Sequence, residues 1–309
     1  MTHRGRPSLS VVNFSTTPAT QWSAWAPLGL DHQFTAASLA ETLDGGQAFR
    51  WRQQPEPAAW QGIFAEHVVQ LRLVRDGSLH FRAATAADRA RCALLHYLEM
   101  APQLGGALAR LPRQSDPVLT TAIDSCPGLI LLRQPFAETL LGFILSSTKR
   151  IPQIRQLCDT LAERFGPELA PGIHGLPTWK TLATVGEPAL RRCALGFRAG
   201  YVHGTARFLA DHPGWLAQVE ALPYPEAKAA LVTLPGVGEK VADCVLLFGA
   251  GRLEAFPVDV WILKTLAAGY GLAGWRPAQL AQFGRVHFGP LAGLAQQYLF
   301  AHARATAGK

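Results

Sequence analysis

The sequence predicts an α+β chain, in which an N-terminal antiparallel β-sheet domain is followed by an all-α domain. Three observations carry this expectation. Strand-like alternation is prominent before about residue 115, helical periodicity fills the chain after about residue 116, and Pro and Gly punctuate the joins. The expected organisation is an irregular Ser-, Thr- and Pro-containing lead-in over 1–25, a β-rich domain over 26–115 and a helical domain over 116–309.

The elements follow in order. Trp60 to Phe64, His67 to Val74 and Ser78 to Arg82 read as strands, the last two joined across the hairpin signal Arg75-Asp76-Gly77. Alternation then places Val69, Leu71 and Leu73 on one face. Helical candidates follow at Ala137 to Ser147, Ile151 to Phe165, Ala189 to Ala210, Gly214 to Ala221 and Pro277 to Phe283. The sequence contains no internal repeat and no low-complexity tract.

Composition narrows the function classes. A chain of 309 residues, 49% hydrophobic and 17% charged, is globular rather than disordered. Its net charge of +7 favours an anionic partner, for which nucleic acid is the common case. The five cysteines, Cys92, Cys126, Cys158, Cys193 and Cys244, show no Cys-x-x-Cys spacing, which argues against a zinc site and a disulfide framework. No apolar run reaches the roughly twenty residues of a membrane span. Met1 to Arg6 is basic but no apolar core follows it, so an intracellular protein with reduced thiols is expected.

The most telling stretch is Leu234-Pro235-Gly236-Val237-Gly238-Glu239-Lys240, preceded by the helix-forming Pro225 to Val232. Pro235, Gly236 and Gly238 must break that helix, because glycine reaches positive φ cheaply. A second helix begins at Glu239 and ends near Gly249 to Gly251, with Val241, Val245 and Phe248 at helical spacing. The expected unit is helix, tight hairpin, helix. Its uncovered amides at a helix N-terminus suit an anion such as a DNA phosphate, although a bare Gly-x-Gly fits an ordinary helix corner equally well. Lys240 lies in the first turn, where the dipole disfavours its ammonium form; it reads as a Schiff-base nucleophile or as a solvated phosphate contact. Asp259, within Phe256-Pro257-Val258-Asp259-Val260, stands at the N-cap of a helix expected from Val260 through Leu266, where it could be a simple cap.

Leu234 to Asp259 resembles the signature of the helix-hairpin-helix (HhH-GPD) DNA glycosylase superfamily. Within it, Lys240-Val241-Ala242-Asp243-Cys244 and Pro257-Val258-Asp259-Val260 resemble the 8-oxoguanine DNA glycosylase branch. Gly46-Gln47-Ala48-Phe49-Arg50-Trp51 resembles that branch's N-terminal motif. Leu131-Leu132-Arg133-Gln134, Gly196-Phe197-Arg198-Ala199 and Gly289-Pro290 with Ala295-Gln296 to Leu299-Phe300 fall in its order and approximate spacing. The absence of any cysteine beyond Cys244 excludes the iron-sulfur cluster typical of the endonuclease III and adenine glycosylase branches.

The resemblance implies a bifunctional DNA glycosylase and AP lyase that flips 8-oxoguanine out of duplex DNA. Lys240 would attack the anomeric carbon, and Asp259 would stabilise the positive charge that develops on the sugar. Cys244 and Phe300 would sandwich the flipped purine, Gln296 would bond its polar edge, and the Gly46 carbonyl would accept the N7 proton that guanine lacks. Cys244 follows Lys240 by four residues and Phe300 follows Gln296 by four, so each pair shares a helix face. Gly236 and Gly238 would grip the backbone, Phe197 would fill the vacated stack, and Arg198 would read the estranged cytosine.

Three departures qualify that transfer. The eukaryotic enzymes have asparagine where Thr148 stands and arginine where Gln153 stands, and both normally meet the orphaned cytosine. Discrimination of the opposite base is therefore expected to be weaker, unless Lys149 or Arg150 substitutes. Trp261 replaces a histidine that usually touches a phosphate, which leaves stacking or packing as its role. The chemistry needs no metal or organic cofactor, and the superfamily allows a monovalent cation at the hairpin. The expected state is a monomer acting on double-stranded DNA with oxidised guanine, in the cytoplasm or nucleoid of a bacterium or the nucleus of a eukaryote. Two alternatives stand beside this. A monofunctional glycosylase for alkylated or other damaged purines would usually lack the lysine, and a non-catalytic helix-hairpin-helix DNA-binding module needs neither Lys240 nor Asp259.

Overall fold

The computed structural model describes residues 20–55, 58–98 and 106–307, and most of the expected lead-in over 1–25 lies outside that range. Five antiparallel strands form the N-terminal sheet: β1 (Ala26–Pro27), β2 (Trp51–Gln54), β3 (Ala59–Phe64), β4 (His67–Leu73) and β5 (Leu79–Ala83), in spatial order β1-β5-β4-β3-β2. Helices dominate the remainder, so the α+β class holds. Between β1 and β2 lies α1 (Ala36–Asp44), capped by Thr35 and Ser38, and after β5 comes α2 (Ala87–Tyr97). Neither helix was expected within the β-rich stretch.

The β3–β4–β5 meander matches the alternation, with Trp60, Leu71 and Phe81 in register across three strands. Val69, Leu71 and Leu73 share one face as expected, opposite the buried Ala83, Phe81 and Leu79 of β5, but burial itself does not alternate along β4. Leu73 is only half-buried, while His67, Val68 and Gln70 are buried along with Val69 and Leu71. The cause is position: β4 is the central strand, α2 packs against it, and the short strand β6 (Glu168–Ala170) also contacts it. A strand covered on both faces loses its alternation.

The helical part begins with α3 (Pro117–Ser125), α4 (Phe136–Leu145) and α5 (Ile151–Phe165), the last with the expected boundaries. A two-stranded hairpin pairs β6 with β7 (Ile173–His174), and α6 (Trp179–Thr184) follows. The single helix expected over 189–210 is two: α7 (Glu187–Arg191) and α8 (Arg198–Asp211). Ala194 and Gly196 between them take φ of 61° and 60°, a left-handed conformation that stops an α-helix. The break places Phe197 at the N-terminus of α8. Beyond it run α9 (Trp215–Ala221), α10 (Tyr224–Leu231), α11 (Glu239–Phe248), α12 (Val260–Gly269), α13 (Pro277–Phe288) and α14 (Ala292–Ala307). α13 extends five residues past its expected end at Phe283.

One hydrophobic core joins sheet and helices. Phe49 packs on Phe143 of α4 at 5.4 Å between ring centroids, and Phe143 stacks on Phe248 of α11 at 5.6 Å. Gln47, fully buried, bridges the two regions with hydrogen bonds. Its Nε2 donates to the Ile130 carbonyl (2.9 Å), its Oε1 accepts the Leu132 N–H (3.0 Å), and its own carbonyl accepts from Gln134 Nε2 (2.7 Å). Gln134 in turn donates its N–H to the Phe248 carbonyl at the end of α11 (2.7 Å).

Glu138 of α4 lies on the seam between sheet and helices and accepts the Ala65 N–H (2.9 Å). Burial pushes its carboxyl up to about 7, opposed by the Ala65 hydrogen bond and the nearby Arg50. A carboxyl raised on folding favours the folded state below its unfolded pKa, and that stabilisation is lost as pH rises through the folded value. Urea unfolding at pH 5 and pH 8 should therefore show wild type losing about 2 kcal/mol relative to Glu138→Gln, whose amide keeps the acceptor for Ala65.

Candidate active site

The turn between α10 and α11 is built as its sequence requires at one glycine and differently at the other. Gly236 has φ +77°, and a Cβ there would fall 2.5 Å from the Tyr201 ring. Only glycine meets both demands. Gly238, against expectation, is extended at φ −95°, ψ −179°, and nothing lies within 4 Å of where its Cβ would be. Its lack of a side chain instead leaves the N-terminus of α11 bare, with no side-chain cap. Tyr201 also supports Phe197, the two rings meeting edge-on at 5.7 Å, so the wedge candidate and the hairpin share one prop.

From this turn α11 carries Lys240 and Cys244 into a small pocket that opens to solvent. Gly46, Phe143, Lys240, Cys244, Phe248, Pro257, Asp259, Gln296, Gln297 and Phe300 line it. All six residues assigned to catalysis and base binding from sequence are therefore in one cavity, supplied by the loop after α1, by α11, by the N-cap of α12 and by α14. Lys240 Nζ lies 5.2 Å from the centroid of the Phe143 ring. Burial pushes the Cys244 thiol up to about 11, so it is a neutral, apolar wall at physiological pH.

Asp259 does cap α12: its Oδ1 accepts the Trp261 N–H (3.0 Å) and the Ile262 N–H (2.9 Å). The cap fixes the carboxylate beside the lysine rather than competing with a catalytic role. Burial raises its pKa above the ordinary aspartate value, while the Ile262 amide and the Lys240 ammonium oppose the rise.

Gly46 has φ +107°, and a Cβ would lie 3.0 Å from Ile151 Cδ1 and 3.6 Å from Phe300 Cε1. Two arginines pin its loop. Arg304 of α14 donates to Glu41 Oε1 (2.9 Å) and to the Gly45 carbonyl (2.5 Å), with its guanidinium 5.4 Å from the Phe300 ring centroid. Arg155 of α5 pairs with Asp44 and donates to its carbonyl (3.2 Å). Arg304 thus couples the Gly46 wall to the Phe300 wall. Sequence reasoning missed it, and did not assign Phe143, Phe248, Pro257 or Gln297 to the site; Phe248, four residues after Cys244, Pro257, within the Asp259 motif, and Gln297, adjacent to Gln296, each carried a local signal.

The remaining candidates lie outside the pocket. Phe197 is 49% exposed, as a wedge requires, whereas Arg198 is 3% exposed and turned inward. Its guanidinium donates to the Ser147 carbonyl through Nε (2.9 Å) and to Thr148 Oγ1 through Nη2 (2.8 Å). In this conformation Arg198 holds the 147–148 turn rather than facing solvent. Thr148 and Arg150 are exposed and Lys149 half-buried. Trp261 is half-buried in the first turn of α12, with Lys264 Nζ 5.6 Å from its ring centroid.

Comparisons with known proteins establish the family. The family model described as "8-oxoguanine DNA glycosylase, N-terminal domain" matches residues 30–140. The chain is 33% identical over 295 residues to an N-glycosylase/DNA lyase of Arabidopsis thaliana, covering 89% of this chain and 79% of that protein. It belongs to the 8-oxoguanine DNA glycosylase family. A probable N-glycosylase/DNA lyase of Methanothermobacter thermautotrophicus is 33% identical over 217 residues, 61% of this chain and 68% of that protein. Among solved structures, the Clostridium acetobutylicum 8-oxoguanine glycosylase/lyase bound to double-stranded DNA with cytosine opposite 8-oxoguanine superposes with a TM-score of 0.79. It is 30% identical and covers 87% of this chain and 92% of that one.

One member of the 147–148 turn departs from an easy backbone. Thr148 has φ +54°, a left-handed conformation that a β-branched residue adopts at a cost of about 1 kcal/mol and that asparagine tolerates. Thr148→Asn should raise unfolding stability by about 1 kcal/mol in chemical denaturation.

Proposed function

We propose that this protein is a bifunctional DNA glycosylase and AP lyase that excises 8-oxoguanine from duplex DNA. The observation that carries the proposal is the meeting of Lys240, Asp259, Gly46, Cys244, Gln296 and Phe300 in one cavity. A base buried in a duplex stack cannot reach such a cavity, so the nucleotide must be flipped out, with Phe197 occupying the gap and the Gly236–Gly238 turn gripping the backbone. The purine slides between Cys244 and Phe300. The Gly46 carbonyl accepts the N7 proton of the oxidised base, and Gln296 bonds the opposite edge.

The chemistry needs only groups of this chain. The free amine of Lys240 bonds to the anomeric carbon as the glycosidic bond breaks, and the base leaves with the bonding electron pair and takes up a proton. The Asp259 carboxylate stabilises the positive charge on the sugar during that exchange. Opening of the sugar ring gives the Schiff base, and loss of a proton from the neighbouring carbon expels the 3′ phosphate. No metal or organic cofactor takes part. A monovalent cation at the hairpin belongs to the same reading, with backbone carbonyls of the 234–238 turn as its ligands.

The same reading has the protein act as a monomer. No helix among the described residues is long and apolar enough to cross a membrane. A DNA substrate places the protein in the nucleoid or nucleus. A non-catalytic DNA-binding module gives no reason for Lys240 and Asp259 to share a cavity, and a monofunctional alkylpurine glycosylase gives none for the lysine.

Two experiments test the reading. Borohydride should trap a covalent adduct with duplexes carrying 8-oxoguanine, across all four opposite bases with little preference for cytosine, and Lys240→Gln should abolish it. No adduct with wild type, or an undiminished one with Lys240→Gln, would overturn the mechanism. Because burial raises the Asp259 pKa and the carboxylate must be ionised to act, the acid limb of kcat/KM should lie at higher pH than an ordinary aspartate would set. Asp259→Asn, which preserves the cap, should remove that limb together with most of the activity.

A further inference from the structure

Glu239 is an awkward neighbour for a phosphate. It stands in the first turn of α11, directly after the uncapped Gly238, where a carboxylate is the natural rival of a DNA phosphate for the open amides. Folded back onto them, it would fill the turn and repel the DNA backbone. The structure holds it elsewhere. Its Oε2 lies 2.6 Å from the Nζ of Lys228, on the preceding helix α10.

Lys228 is anchored in the fold without Glu239. Its ammonium sits 3.0 Å from Asp243 Oδ1 and 3.1 Å from Asp243 Oδ2 on α11, and 3.4 Å from the Tyr224 hydroxyl. Asp243 is 2% exposed and accepts a further hydrogen bond from that hydroxyl at 2.7 Å. Its single carboxylate already balances the charge of Lys228, so burial of the lysine calls for no second acid. An ammonium carries three donors, and with two turned inward to Asp243 and Tyr224 the third reaches out to Glu239, whose side chain is 69% exposed. A buried, fixed lysine thereby restrains an exposed acid at the mouth of the turn.

We propose that Lys228 is a positioning residue for DNA binding: it draws the Glu239 carboxylate back toward α10, so that the amides behind Gly238 stay open to a phosphate. The same ion pair cancels a negative charge where the DNA backbone approaches. The assignment rests on the reading above that the 234–238 turn grips that backbone, and it is independent of which base the pocket accepts.

The test is the Kd for a duplex carrying a tetrahydrofuran abasic analogue, which cannot form a Schiff base, measured from low to high salt. Glu239→Asp leaves the buried Lys228–Asp243 pair untouched and keeps the charge, but it shortens the side chain by one methylene and releases the carboxylate from Lys228. It should weaken binding on the order of 3- to 10-fold at low salt, and the loss should shrink as salt screens the repulsion. Glu239→Gln removes the rival and should bind at least as tightly as wild type. Lys228→Met combined with Asp243→Asn strands no buried charge; it should lose affinity as Glu239→Asp does and recover it when Glu239→Gln is added. Wild-type affinity in Glu239→Asp, or a loss in the combined variant that Glu239→Gln does not restore, would overturn the assignment while leaving the grip intact. Gly238→Asp tests the grip itself. Gly238 is extended with open space around a Cβ, so an aspartate fits there as a cap, fills the amides and should weaken binding more than the other variants do. Wild-type affinity in Gly238→Asp would overturn the grip, and this assignment with it.

Discussion

The buried side chain of Gln47 is the joint on which the pocket depends. It sits one residue after Gly46 and bonds the backbone of Ile130 and Leu132, while its carbonyl takes the amide of Gln134, whose own N–H reaches the end of α11. The loop that offers the Gly46 carbonyl is thereby fixed relative to the helix that offers Lys240. Buried amides bonded on both ends set a geometry that apolar packing alone would leave adjustable, because an unpaired end is costly wherever it shifts. Arg304 and Arg155 add the same constraint from α14 and α5. A pocket assembled from segments more than two hundred residues apart needs such ties.

Two helix N-termini border the candidate site, and each is finished differently. α11 begins bare behind Gly238, with its amides open to an anion. α12 begins with Asp259, whose Oδ1 is held by two amides of its own first turn. A carboxylate positioned by backbone does not have to be reoriented when charge develops on the sugar, which is the advantage of a preorganised site. Phe143 underlies the lysine and stacks into the aromatic row that ends at Phe248, so the core of the protein supports the proposed nucleophile directly.

Much of this was legible in the sequence, for reasons that differ between residues. The hairpin, Lys240 and Asp259 sit in local patterns of turn, first helical turn and cap, and local patterns survive folding. Gly46, Gln296 and Phe300 were placed by resemblance, and nothing in their own neighbourhoods says they meet. The helix over 189–210 was misjudged because its apolar spacing continues across the left-handed residues Ala194 and Gly196, and an alanine there gives no warning. Arg304 was invisible because its partners, Glu41 and Gly45, are local only in three dimensions. Arg198 was identified as a residue at the DNA, but its inward turn onto Ser147 and Thr148 depends on a loop conformation that sequence does not specify.

The central claim is that the amine brought into the pocket beside Asp259, and no other, attacks the damaged nucleotide. Proteolysis and mass spectrometry of the borohydride-trapped complex with 8-oxoguanine duplex DNA test it directly. The account predicts the deoxyribose remnant on the peptide that contains Lys240, attached at its Nζ. Attachment to Lys149, Lys264 or the N-terminal amine would contradict it.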